Sequence, residues 1–204
     1  MIRRILITQR VDKVKNLNET RESIDIRLLN FCLSLNFIPI TISSFISHKY
    51  DLKTYLENIN FDGIILSGGN NIGELEERDL LESTLIKLSK FKRIPLIGIC
   101  RGLQMINHYQ KGSLISIKGH CKTRHYIKGE QFSLREINSY HNYGLFKENL
   151  GDKLLPMALA EDGSIEAIKH ETEPWLGIMW HPEREEKFHK NDLKIFYNHL
   201  NQIK

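Results

Sequence analysis

Three cysteines in 204 residues, Cys32, Cys100 and Cys121, cannot all pair with one another, and none forms a C-x-x-C. That scarcity argues against a disulfide framework and against a thiolate zinc motif. Long apolar runs are missing as well. The opening "MIRRILITQRVDK" is too short in its apolar part for a secretion signal, and nothing later reaches membrane-spanning length. Neither sign of charge dominates: a formal net charge of +4 is not the footprint of a nucleic-acid binder. Repeats, low-complexity tracts and linkers are absent, so residues 1–204 read as one domain, expected in the cytoplasm with no membrane or nucleic-acid polymer as partner. A hydrophobic share of 41% suffices for one well-buried core.

What is there is an alternation of strands and helices. "RILIT" (4–8), "FIPITI" (37–42), "GIILSGG" (63–69) and "IPLIGI" (94–99) read as strands. They are continuous apolar runs, as expected where helices cover both faces of a parallel sheet. Helices are expected at 22–36, 51–59 with Asp51 as N-cap, 77–92 and 185–201. The second half changes character, with short strands at 131–137, 156–161, 164–170 and 175–180 and a hairpin signal at Asp162-Gly163.

The stretch "IPLIGICRGLQMIN" (94–107) passes from strand to helix through G-x-C-x-G. That pattern has the geometry of a nucleophile elbow, which turns the side chain of Cys100 out of the sheet at its carboxyl end. A helix starting at Arg101 aims its free N–H groups at the sulfur and favours the thiolate. Cys32 sits on an apolar helix stripe and reads as core; Cys121 reads as loop. In "WLGIMWHPERE", His181 follows a strand, Pro182 fixes the turn and Glu183 lies within reach of the far ring nitrogen. Gly68-Gly69, closing another parallel strand, offers backbone N–H groups which, with that of Arg101, would receive a tetrahedral oxyanion.

Taken together, "LSGG", "GICRGLQ" and "WHPE", in that order, resemble the class I glutamine amidotransferases and their relatives the γ-glutamyl hydrolases, across essentially the whole chain. The resemblance implies a flavodoxin-like three-layer α/β sandwich, a mostly parallel central sheet flanked by helices. It implies a Cys100–His181–Glu183 triad that cleaves a γ-glutamyl amide through a thioester, with Gly69 and Arg101 binding the oxyanion. Gln104 would help hold the glutamyl part, and "INSYHNYG" (137–144) would place Asn138, Ser139, Tyr140 and His141 at the substrate's amino-acid end.

Two activities share such a triad: a stand-alone hydrolase of small γ-glutamyl conjugates, and a glutaminase subunit that feeds ammonia to a synthase partner. "CRGLQ" and "NSYHN" look like the hydrolase branch, and "ITQRVD" resembles hydrolases of bacterial surface-polysaccharide pathways. Arg10, Arg21, Lys122 and Arg124 are candidates for receiving an anionic substrate. A redox-sensing or chaperone-like elbow cysteine is the reading from a different class, and leaves His-Pro-Glu without a purpose. His120, Cys121, His125 and His141 could in principle make a mixed metal site, but "HCKTRH" lacks paired ligand spacing, so neither metal nor cofactor is expected.

Overall fold

The computed structural model describes residues 2–130 and 132–202. Its elements run β1 (Arg3–Thr8), β2 (Arg10–Val14), β3 (Glu19–Ser23), α1 (Ile26–Ser34), β4 (Phe37–Ile42), α2 (Leu52–Glu57) and β5 (Gly63–Leu66). There follow α3 (Glu76–Lys92), β6 (Leu96–Ile99), α4 (Arg101–Tyr109), β7 (Ile115–Ser116), β8 (Cys121–Gly129), β9 (Phe132–Tyr140) and β10 (Tyr143–Gly144). The chain closes with β11 (Leu154–Ala160), β12 (Ile165–His170), β13 (Trp175–Ile178) and α5 (Lys190–Leu200).

Nine strands form the main sheet in the order β4-β1-β5-β6-β13-β12-β11-β8-β9. The first five are parallel, and counted among themselves their order is 2-1-3-4-5, that of flavodoxin-like folds. The other four extend the sheet antiparallel. Leu28, Phe31, Phe196 and Leu200 of α1 and α5 pack on one face. Leu56, Leu81, Leu85, Leu103 and Ile106 of α2, α3 and α4 pack on the other. Completely buried Ile5, Ile7, Ile65 and Ile97 face the first layer and Leu6, Ile64 and Leu96 the second, which is why these strands read as unbroken apolar runs.

Four expectations change. The helix expected over 22–36 starts only at Ile26, capped by Asp25, whose carboxylate accepts from the Arg27 N–H at 3.0 Å. The residues before it pair as the β2–β3 hairpin, with Arg10 opposite Ser23 and Val14 opposite Glu19. Cys121, read as loop, opens β8 opposite Tyr140. The last helix begins at Lys190 rather than 185, because Pro182–Arg184 close a separate 3-10 turn. The strand expected over 131–137 spans Phe132–Tyr140, with Gln131 outside the described residues. No described helix is long and apolar enough to cross a membrane.

Candidate active site

β6 ends at Ile99, and Cys100 takes φ +52° and ψ −104° before α4 begins at Arg101. A side-chain-bearing residue rarely adopts a left-handed φ without cost, and such strain concentrates at working sites. The flanking glycines explain how the chain tolerates it. A Cβ on Gly98 would collide with the Gly102 backbone, and one on Gly102 with the Leu66 carbonyl. Strand and helix therefore touch backbone to backbone, which only glycine permits. Cys100 is 7% exposed, and its N–H is anchored to the Ile178 carbonyl at 2.7 Å. Cys32 lies in the core, where burial pushes its thiol up to about 12.

His181 follows β13, the strand beside β6, so the sheet itself brings imidazole and sulfur together. Gly68 sits against both: a Cβ there would lie 2.7 Å from His181 Cε1 and 3.6 Å from Cys100 Cβ. His181 Nδ1 bonds Glu183 Oε1 at 2.7 Å, and both side chains are buried. Burial alone would push His181 down, but the Glu183 carboxylate and the Cys100 sulfur outweigh it and raise the imidazole to about 9. Asn138 grips the His181 backbone from both sides, accepting from its N–H at 2.9 Å and donating to its carbonyl at 2.8 Å.

The turn after β5 is held by Arg78 of α3, a wholly buried residue. Its guanidinium donates to the carbonyls of Ser67, Gly68 and Gly69 at 2.8, 3.0 and 2.7 Å. All three carbonyls are thus turned toward α3. Among the described residues, the N–H groups of Gly69 and Arg101 find no acceptor in the chain. Glu82 receives Arg78 at 3.0 Å, the Thr8 hydroxyl at 2.8 Å and the Arg101 guanidinium, and Arg101 also pairs with Asp79. One buried network therefore braces both the Gly68-Gly69 turn and the start of α4. Sequence reasoning used Arg101 only for its N–H and missed Arg78 altogether. The available signal was Arg78 and Glu82 at i,i+4 in a helix whose Glu76, Lys87 and Lys90 are exposed.

The remaining expected site residues divide. Gln104 donates to the Tyr143 carbonyl at 3.0 Å, Ser139 to the His120 carbonyl at 2.5 Å, and His141 Nδ1 to the Tyr143 carbonyl at 3.0 Å. All three are buried. Tyr140 is 41% exposed, its ring edge-on to His181 at 5.8 Å with the Arg184 guanidinium 4.5 Å over it. Beside the triad opens a cleft of about 340 Å³, lined by Gly68, Gly69, His181, Glu183 and Arg184, and by Arg10, Asp12 and Ser23 of the unexpected β2–β3 hairpin. Asn70 ties that hairpin to the glycine turn through the Val11 N–H at 2.8 Å and carbonyl at 3.0 Å. Of the basic candidates, Arg10 alone reaches the cleft, paired with Asp12; Arg21 pairs with Glu19 and Arg124 with Glu136 and Glu185. A larger hollow of about 580 Å³, between Tyr50, Leu80 and Phe91, contains no thiol or imidazole.

These residues and this sheet order define a class of protein: the chain belongs to the class I glutamine amidotransferase family, whose description matches residues 16–202. It is 36% identical, over 97% of its length and 98% of the relative's, to a γ-glutamyl-CDP-amidate hydrolase of Campylobacter jejuni subsp. jejuni serotype O:2. It is 27% identical, over 87% of its length, to a carbamoyl phosphate synthase small chain of Gracilaria tenuistipitata var. liui, covering 43% of that relative. Among solved structures, a glutamine amidotransferase of Thermotoga maritima superposes with a TM-score of 0.67 at 15% identity, covering 98% of this chain and 84% of the other. That last likeness speaks to the fold.

Proposed function

We propose that the chain is a γ-glutamyl-CDP-amidate hydrolase, acting as one domain over residues 1–204 and freeing L-glutamate and cytidine diphosphoramidate. The observation that carries it is Cys100 on a positive-φ elbow, beside an imidazole held by Glu183. The near full-length similarity to the Campylobacter hydrolase supports the leaving group. Cys100 Sγ attacks the γ-carbonyl carbon with its proton already resting on His181, whose raised affinity for that proton favours this state. The N–H groups of Gly69 and Arg101 receive the oxyanion. Collapse breaks the C–N bond, His181 gives its proton to the departing nitrogen, and a γ-glutamyl thioester remains. Water, deprotonated by His181, then attacks the thioester, releasing glutamate and restoring the thiol. Gln104 and His141 converge on the Tyr143 carbonyl and with it border the glutamyl end, and Arg10 and Arg184 offer cations to the diphosphate. A nucleotide-linked substrate of this kind supports a cytoplasmic reaction.

The alternative is a glutaminase that supplies ammonia to a partner synthase, favoured by the similarity to carbamoyl phosphate synthase small chains. One experiment separates them: purified protein is given γ-glutamyl-CDP-amidate or glutamine, and products are followed by mass spectrometry. Rapid glutamate release from the nucleotide conjugate without any partner supports the hydrolase. Release from glutamine only after another protein is added overturns it.

A further inference from the structure

A second cluster of chemistry-bearing side chains lies in the antiparallel half of the sheet, outside the triad. Glu166 of β12 is wholly buried, and neither carboxylate oxygen has a hydrogen-bond partner among the described residues. Three imidazole nitrogens converge on its Oε1: His120 Nδ1 at 3.4 Å, His125 Nε2 at 3.5 Å and His141 Nε2 at 3.5 Å. None of the three makes a hydrogen bond. Donor atoms of His120, His125 and Glu166 all lie within 4.8 Å of one another.

In two of the three rings the far nitrogen fixes what the near one is. His120 Nε2 meets the Asp162 carboxylate at 3.0 Å, and His141 Nδ1 meets the Tyr143 carbonyl at 3.0 Å. Both partners only accept, so both far nitrogens carry the hydrogen and the near ones present lone pairs when the rings are neutral. Lone pairs then face a buried carboxylate, a repulsive arrangement unless a cation lies between them. Protons on all three rings would place imidazolium charges side by side, with the His120 ring centroid 4.5 Å from that of His125 and 5.0 Å from that of His141. Charge-assisted hydrogen bonds would also draw in to about 2.7–2.9 Å. The observed spacing suits something else. Tetrahedral bonds of about 2.0–2.1 Å to nitrogen and oxygen put neighbouring donors about 3.3–3.4 Å apart.

We propose that His120, His125, His141 and Glu166 bind one divalent cation of the zinc class in a closed, structural site. Asp162 and the Tyr143 carbonyl orient two of the imidazoles from behind, as partners of ligating histidines commonly do. His125, the least buried donor, lies on the entry path. The cation ties β8, the end of β9 and β12 together beside Asn138, which holds the His181 backbone. The expectation of no metal rested on the sequence spacing of His120, Cys121, His125 and His141. The fold supplies Glu166 as the fourth donor and leaves Cys121 exposed outside the set.

The test uses untagged full-length protein, stripped with chelator, dialysed, and titrated with Zn²⁺ and separately with Co²⁺. Expected results are one metal per chain by elemental analysis, intense visible Co²⁺ bands of tetrahedral coordination, and a rise in melting temperature on Zn²⁺ addition. Glu166→Gln and His125→Asn should each weaken uptake at least tenfold, while Cys121→Ser leaves it unchanged. A folded wild-type protein, judged by circular dichroism, that takes up no Zn²⁺ overturns the site. Uptake undiminished in both Glu166→Gln and His125→Asn, or abolished by Cys121→Ser, overturns the donor set. These readouts need no turnover, so they stand or fall apart from the proposed reaction.

Discussion

Glu82 and Glu166 are both wholly buried, one behind the parallel half of the sheet and one in the antiparallel half, and their surroundings are opposite in kind. Glu82 is met by two guanidinium groups and a hydroxyl from the chain itself. Burial would raise its carboxyl, but the Arg101 and Arg78 charges prevail and hold it below the usual carboxylate range. Glu166 is met by imidazoles at distances too long for hydrogen bonds. A buried charge must be compensated: in the first region the chain supplies guanidinium groups, which are always charged, whereas in the second only titratable imidazoles face the carboxylate, and they hold it below the usual range. The first region shapes the elbow and the oxyanion turn. The second sets the strand that holds the base. The difference teaches that a self-sufficient network fixes the nucleophile, whereas the support of His181 is coupled to whatever neutralises Glu166.

The largest effect lies where the two regions meet. Cys100→Ala should lower turnover of γ-glutamyl-CDP-amidate below about a hundredth of wild type while leaving the circular dichroism unchanged. His181→Asn should come close to it. Activity retained in Cys100→Ala would remove the parallel half's claim to the nucleophile.

Next comes stability, which sets the two carboxylates against each other directly. Glu82→Gln leaves Arg78 and Arg101 short of their shared counter-charge, and should cost about 3–5 kcal/mol in urea unfolding. Glu166→Gln, compared with wild type after both are stripped of metal, should cost far less, since the imidazoles facing it can give up their protons where the guanidinium groups of Arg78 and Arg101 cannot. Equal losses in the two variants would mean that Glu166 is already compensated within the chain.

A smaller change probes the link from the antiparallel half to the base. Asn138→Ala removes both contacts to the His181 backbone. About a tenfold drop in kcat with little change in KM is expected, because the base is displaced rather than the substrate. A change in KM alone would instead assign Asn138 to substrate binding, the role its resemblance-based placement implied.

Much of the parallel half was legible in the sequence, because its determinants are local. An apolar run, G-x-C-x-G and an amphipathic helix specify the elbow within fourteen consecutive residues, and "WHPE" specifies base and orienting carboxylate within four. The antiparallel half was less legible, because its determinants are far apart in sequence. His120 precedes β8 and His125 lies within it, His141 follows β9 and Glu166 belongs to β12, and only strand pairing makes them neighbours. The β2–β3 hairpin escaped because Glu19–Ser23 is polar and solvent-facing, so no apolar alternation marks it. Arg78 escaped because a charged residue on a helix is ordinarily read as outward.

The subtlest test concerns the proton that both halves share. His181 is held near 9 by Glu183 on one side and the Cys100 sulfur on the other, against the opposing effect of burial. A raised folded-state pKa means that the folded protein binds the proton more tightly than the unfolded chain. The resulting stabilisation is complete below the unfolded value of 6.5 and is lost as pH rises from there through about 9. Unfolding free energy measured by urea across that window should therefore fall more steeply for wild type than for His181→Gln. In Cys100→Ala the imidazole keeps Glu183 but loses the sulfur, so the fall should still begin near 6.5 but end at lower pH. Superimposable curves for wild type and His181→Gln would mean that folding does not raise the imidazole's affinity for its proton, and the coupling between nucleophile and base would have to be abandoned.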